Sequence, residues 1–321
     1  MTNSIIKTLA YFDIFDTPLT REELYRWAWE SPIGNFTEFI KNLDALSAQK
    51  TISNKDGFYF LPGRTEIIAR RERAVSIVEK KMRIARRAAR KLRWVPFVAA
   101  VFVCNTVALG GVKKSSDIDV FIIIKASRLW LARLLTAFVL SMVGLRRNRK
   151  KITNKICLSF YATDDTLNLE PIKIAPNDIY LIYWLDNLIP IYDPTNLHKK
   201  IMEANGWAKK YLPHAFLPYR TLPRWRADDT RLSRLWRGFW ERAWAGVYGG
   251  LLETQARAAQ KTKMKLNFAR AQNHGGPNVI ITDSMLKFHE NDRREYFKKM
   301  WEEKVNDIKT NLIISPPTRG S

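Results

Sequence analysis

Three apolar runs constrain this chain most. Val95–Cys104 reads VPFVAAVFVC, Ile118–Ile124 reads IDVFIII, and Ile156–Ala162 reads ICLSFYA. Runs this apolar are strands buried on both faces, so each needs helices above and below it. The stretch 129–144 between the second and third runs is apolar at helical length, and Asn177–Leu188 also reads as a helix. The middle of the chain is therefore a mixed sheet with flanking helices. At 321 residues there is room for about two domains with substantial cores.

Ahead of this block, residues 1–61 show three helical patterns and a hairpin. Ile5, Ile6, Leu9 and Tyr11–Phe12 mark a first helix. Thr20 and Glu23 form a T-x-x-E capping box, with Leu19 and Leu24 as its hydrophobic staple, and start a second helix through Trp29. Phe36, Phe39, Ile40, Leu43 and Leu46 give a third, and Asp56-Gly57 suits the turn of the hairpin that follows. This is the element order of a winged helix-turn-helix. The segment holds six basic residues (Lys7, Arg21, Arg26, Lys41, Lys50, Lys55) against eight acidic ones (Asp13, Asp16, Glu22, Glu23, Glu30, Glu38, Asp44, Asp56). A DNA reader needs cations on its docking face, so the balance points to a structural or protein-contact module.

The rest of the chain is strongly basic. Lys plus Arg number 54 against 31 Asp plus Glu, a formal net charge of +23, which implies an anionic partner such as nucleic acid, nucleotide phosphate or a membrane surface. Residues 64–93 form a long basic helix with a narrow apolar stripe at Val75, Val78, Met82, Ala85, Ala89 and Leu92. Its other faces, Lys80 and Lys81 included, are either solvated or a polyanion surface. In the last third, Leu232, Leu235, Trp236, Phe239, Trp240, Ala243, Trp244, Val247, Tyr248 and Leu251 share one helical face, expected to be a packing face. The resulting division is 1–62, a winged helix; 63–94, a basic linker helix; 95–215, the sheet domain; and 216–321, a basic helical C-terminal region.

Chemistry concentrates in Cys104–Ile124, CNTVALGGVKKSSDIDVFIII. Asp117 and Asp119 open an apolar strand, and the two-residue period puts both carboxylates on one face, with Ile118, Val120 and Ile122 on the other. Carboxylates about 7 Å apart along a strand in apolar surroundings resist joint ionisation without a counter-charge. A divalent cation supplies it, and Mg²⁺ favours one or two carboxylates together with phosphate oxygens. Lys113 and Lys114 are in the loop before the pair, where they are either solvated or near phosphate. Ser116 either caps the strand entry or touches phosphate.

A strand, a short polar loop, the D-x-D strand, a helix and another strand together resemble the nucleotidyltransferase superfamily typified by DNA polymerase β. Its pattern is a Gly-Ser at a helix start, about ten residues, then D-h-D-h. Ten residues separate Thr106 from Asp117, so Asn105-Thr106 takes the place of Gly-Ser. VPFV, ALGG, RLWLARLL, GLRR and NKICLSFY also resemble a bacterial nucleotidyltransferase-domain group, and the likeness runs from DGFYFLPGR to about Pro213. It implies a polymerase-β-like α+β fold and a nucleoside triphosphate as substrate. It implies Mg²⁺ held by Asp117 and Asp119 as metal-binding and catalytic residues, with Asn105, Thr106 and Ser116 binding nucleotide. The family commonly adds a third carboxylate on a neighbouring strand. Here strand 156–162 is expected to show Cys157, Ser159 and Tyr161 on that face and no acid, with Asp164 and Asp165 just beyond its end. The two departures imply a weak or silent site, so the alternative is a non-catalytic protein that binds nucleic acid through its basic helices.

Leu129–Leu145 approaches the length of a membrane span, and Arg146, Arg147, Arg149, Lys150 and Lys151 follow it. Arg133 within it favours a core helix, so membrane association through this segment and its basic flank is the weakest reading and a membrane partner is not expected. The four histidines lack metal-ligand spacing, the N-terminus has no signal-peptide pattern, and two cysteines in apolar runs suit a reducing, cytoplasmic setting.

Overall fold

A computed structural model describes residues 1–32, 34–217, 221–272, 279–288 and 292–314. The first sixty residues form α1 (Thr2–Asp13), α2 (Arg21–Arg26), α3 (Phe36–Ala48) and a hairpin of β1 (Ser53–Lys55) and β2 (Phe58–Phe60). The capping box forms as its sequence requires: Glu23 N–H donates to Thr20 Oγ1 at 3.3 Å, and Thr20 N–H donates to Glu23 Oε2 at 3.0 Å. Leu19 and Leu24 are both buried, and Leu19 also pairs with Tyr59 beside the hairpin. Asp56 and Gly57 take positive φ, as a tight hairpin turn demands. The second helix stops at Arg26 rather than Trp29. There the Trp27 indole N–H donates to Asp186 at 2.8 Å and the Tyr183 hydroxyl donates to the Trp27 carbonyl at 2.9 Å, drawing the chain onto another layer.

The long helix α4 (Glu66–Leu92) follows. Its apolar stripe is buried from Met82 to Leu92, whereas Ala74 replaces the exposed Val75 at the N-terminal end. Its first turns and the residues just before it grip the acidic N-terminal segment: Arg64 pairs with Asp13, Arg70 with Asp16 and Arg71 with Glu23. The excess acid of residues 1–61 is thus spent partly inside the molecule. Lys81, expected on a face that is either solvated or a polyanion surface, is fully buried.

The sheet comprises β3 (Val98–Val103), β4 (Ile118–Ile124), β5 (Ile156–Thr163), β6 (Ile189–Tyr192), β7 (Val279–Ile281) and β8 (Met285–Phe288), in the order β6-β3-β4-β5-β8-β7. The β4–β5 pair is parallel and the other pairs antiparallel. The helices are α5 (Asn105–Leu109) between β3 and β4, α6 (Leu129–Met142) crossing from β4 to β5, α7 (Ile179–Asp186), α8 (Leu197–Ala204), α9 (Arg231–Ala243), α10 (Val247–Gln272) and α11 (Arg294–Ile314). The fold is therefore α+β with a mixed sheet. Two strands, β7 and β8, extend the sheet from the C-terminal region expected to be helical.

Strand alternation divides the core. Phe102, Phe121 and Phe160 join residues of α1, α3, α7 and α11 on one face. Val101, Val120 and Ile122 join α4, α6 and α10 on the other. Residues 1–61 share the first of these cores, with Tyr11 stacked on Tyr183 at 4.3 Å. Among the described residues no helix is long and apolar enough to cross a membrane. Arg133 of α6 is accommodated by protein, donating to Gln260 at 2.6 Å. The aromatic stripe of the C-terminal third departs from expectation: Trp240 and Trp244 pack inward, but Leu232, Leu235, Trp236, Phe239, Val247, Tyr248 and Leu251 are exposed.

Candidate functional site

Asp117 and Asp119 stand at the start of β4, on the face that carries Phe121 and Ile123. Both are partly exposed, while Ile118, Val120 and Ile122 are buried in the opposite core. The strand period thus brings the carboxylates together as their spacing requires. Directly across the parallel pair, Cys157 of β5 is in register with Asp119. One ligand atom from each of Asp117, Asp119 and Cys157 lies within 4.8 Å of the others.

Cys157 stands on the face expected of it, and an irregularity follows. The β4–β5 register shifts between Asp119 and Phe121, so Phe160 joins the core on the site's side while Tyr161 joins the opposite core. The expected single face of Cys157, Ser159 and Tyr161 is broken by that shift. Asp164 and Asp165 lie at the far end of β5, roughly 20 Å along the strand from Cys157. Asp164 accepts from Ala126 N–H and Asp165 from the Thr163 hydroxyl, so neither completes the pair. A thiol, not a third acid, occupies the neighbouring-strand position.

Asn105 opens α5 in a backbone conformation that glycine adopts most easily. Its φ is +56°, in the left-handed region that asparagine tolerates better than most residues. Its Oδ1 accepts from the Trp184 indole at 2.9 Å and from the Tyr180 hydroxyl at 3.4 Å. Its side chain also favours the charged form of Asp119. Thr106 follows, half-buried in the first turn of α5. Ser116 lies in the loop before β4, where its hydroxyl donates to the Lys113 carbonyl at 2.9 Å; it locks a turn. Lys113 and Lys114 are exposed in that loop.

Two basic residues that the sequence left in general basic runs act here. Arg147 Nη1 is 2.6 Å from Asp117 Oδ2 and 3.5 Å from Cys157 Sγ. Lys81 donates to the Ser116 carbonyl at 2.6 Å, to Asn154 Oδ1 at 3.1 Å and to the Lys114 carbonyl at 3.4 Å, which pins the loop leading into Asp117. Burial lowers the Lys81 pKa, with Asp117 acting in the opposite direction. A signal for Lys81 existed: it neighbours Met82 on the apolar stripe. Arg147 had none.

Burial sets the electrostatics. It pushes Asp119 up to about 6, helped by the like charge of Asp117, while hydrogen bonds from Asn105 and Cys157 pull the other way. Burial, with Asp119 adding to it, pushes the Cys157 thiol up to about 12. The thiol is therefore protonated at neutral pH. The two carboxylates fit a hard cation that completes its shell with water and phosphate oxygens; the thiol is not a favoured ligand for Mg²⁺.

Beside the pair is a cavity of about 180 Å³ lined by Asn105, Phe160, Tyr180, Trp184, Arg294 and Phe297 among others. Asn105 alone of the expected site residues forms part of its wall. The cavity therefore adjoins the carboxylates through Asn105 rather than containing them. Arg294 at its rim pairs with Asp178 at 2.7 Å, and Lys287 with Asp292 at 2.5 Å. No family model matches the chain, and no curated protein or solved structure is significantly similar to it.

Proposed function

We propose that this protein is a magnesium-dependent nucleotidyltransferase that moves a nucleoside monophosphate from a nucleoside triphosphate onto a hydroxyl acceptor. The observation that carries this is the pairing of Asp117 and Asp119 on one face of β4, beside the Asn105 cavity. Asp117 and Asp119 would hold Mg²⁺, which when bound polarises the phosphoryl group and acidifies the attacking hydroxyl. Asn105 favours the charged form of Asp119 and, through Trp184 and Tyr180, is bonded to the aromatic wall where a nucleoside would lie. Thr106 offers a hydroxyl to the phosphates. The acceptor oxygen bonds to the α-phosphorus as the bond to the leaving pyrophosphate breaks.

Arg147 does not bar a cation. Its bond to Asp117 involves a guanidinium 44% exposed, and such pairs are worth about 1 kcal/mol or less. Residues 1–61 serve on this account as a winged helix in a structural role, because Asp16 and Glu23 bind α4 and Asp13 binds Arg64 just before it. Two free cysteines suit work in the cytoplasm.

A second function is favoured by Arg147 and Cys157 together. An internal counter-charge on Asp117 and a thiol in the third position are what a silent site would show, leaving a protein that binds nucleic acid through its basic helices. The test is transfer from α-labelled nucleoside triphosphates to a panel of hydroxyl acceptors, comparing wild type with Asp117→Asn/Asp119→Asn. Mg²⁺-dependent transfer by wild type alone supports the enzyme. Equal signals, with steeply salt-dependent polynucleotide binding, support the second function.

A further inference from the structure

Ten of the seventeen large apolar residues exposed among the described residues lie on α6, α9 and α10. On α6 they are Leu134, Phe138 and Met142, spaced four apart and so on one face. On α9 they are Leu232, Leu235, Trp236 and Phe239; the two leucines are each 70% exposed and Phe239 62%. Val247, Tyr248 and Leu251 continue the surface at the start of α10. The three helices are neighbours. Arg128, just before α6, donates to the Trp244 carbonyl at 2.8 Å just after α9, and Gln260 of α10 accepts from Arg133 of α6 at 2.6 Å.

Between α6 and α9 runs a groove lined by Leu135, Phe138, Trp236, Trp240 and Trp244, with Lys91 at its edge. The Trp240 indole N–H is buried there without a hydrogen-bond partner. Cations surround this apolar layer. Arg231, Arg234 and Arg242 are exposed on α9, and Arg146, Arg149 and Lys150 follow α6 directly. Lys91 also belongs to a cationic recess with Arg87 and Arg90. Neither α6 nor the exposed side of α9 offers a free acid: α6 has none, and Glu241 of α9 pairs with Lys125 at 2.6 Å.

We propose that the α6–α9–α10 face is a peripheral docking surface for an anionic lipid bilayer, with Leu235, Phe239 and Phe138 entering the headgroup region and the flanking arginines and lysines meeting lipid phosphates. The combination of aliphatic and aromatic side chains within a cationic rim is what lying on a membrane requires, as distinct from spanning it. Nucleic acid would use the cations and the tryptophans but has no use for exposed leucine, valine and methionine. A second copy would cover the apolar area only by bringing two arginine rims together on chains of charge +23. None of the apolar residues of this surface belongs to the Asp117–Asp119 site, and its cations Arg146 and Arg149 flank Arg147, which pairs with Asp117.

The test is co-sedimentation of the full chain with vesicles of phosphatidylcholine alone and of phosphatidylcholine with phosphatidylglycerol. The protein is expected to pellet with the phosphatidylglycerol vesicles alone. Leu235→Glu/Phe239→Glu, at sites too exposed to affect folding, should weaken partitioning at least about tenfold, since each lost insertion removes apolar burial. Arg231→Gln/Arg234→Gln, which keeps the apolar face, should weaken it several-fold. Unchanged partitioning in the glutamate variant would overturn the proposal, as would failure to bind either vesicle. So would a dimer in solution that the glutamate pair dissociates, or RNA binding that it abolishes while vesicle binding persists.

Discussion

Replacing Lys81 with methionine should loosen the loop that delivers Asp117 while leaving the fold in place. Lys81 is fully buried, and its ammonium donates to two carbonyls and to Asn154. Methionine fills similar volume but strands those acceptors. A hydrogen bond to a charged group is worth about 1.5–3 kcal/mol, and the relief of no longer burying an ammonium offsets part of the loss of several. A net cost of about 2 kcal/mol follows, which would multiply the open population of the loop about thirtyfold if opening is local. Lys113 and Lys114 are exposed in that loop, so trypsin reads its opening directly. The assay is the rate of cleavage after Lys113 and Lys114, with fragments assigned by mass spectrometry and set beside a thermal melt. Faster cleavage at these two bonds, with a melt lowered by a few degrees, is expected. Equal cleavage rates and equal melts would refute the idea that a buried ammonium organises the approach to Asp117.

Arg147→Gln should change stability by less than about 1 kcal/mol, because the ion pair is partly solvated, yet tighten Mg²⁺ binding by freeing Asp117; calorimetry and a melt check both. Cys157→Asp should strengthen Mg²⁺ binding further, since it sets a third oxygen ligand across from Asp119, while lowering the stability of the metal-free protein by adding a buried like charge; the same two measurements apply. Asp119 has a folded pKa raised to about 6 from an ordinary value of 3.8, so the folded metal-free protein binds its proton more tightly than the unfolded chain does. Its contribution to stability should therefore grow as pH falls from about 6 toward 4, while Mg²⁺ binding weakens over the same range. Asp119→Asn should remove both dependences in pH-resolved melts and titrations.

Much of this architecture was legible because burial leaves a strong pattern. The apolar runs at 95–104, 118–124 and 156–162 became β3, β4 and β5, and the Thr20–Glu23 box capped α2 through purely local bonds. The shared face of Asp117 and Asp119 followed from strand geometry alone. What escaped depended on contacts distant in sequence. Cys157 faced the site as period-2 counting expects, but Phe160 and Tyr161 exchanged faces through a register shift that such counting cannot foresee. Lys81 and Arg147 looked like members of charge runs until partners 35 and 30 residues away claimed them. β8 is a short strand whose partner, β5, lies more than a hundred residues earlier, and β7 joins the sheet only through β8. The stripe from Leu232 to Leu251 had the spacing of a packed face, but periodicity reports which residues share a side and not whether anything covers it.

The most direct measurement is calorimetric titration of Mg²⁺, with a non-hydrolysable nucleoside triphosphate present, into wild type and Asp117→Asn/Asp119→Asn. One saturable cation site in the wild type, absent from the double variant at equal thermal stability, is the predicted result. Identical heats from the two proteins would contradict the claim that these two carboxylates form a cation–phosphate centre.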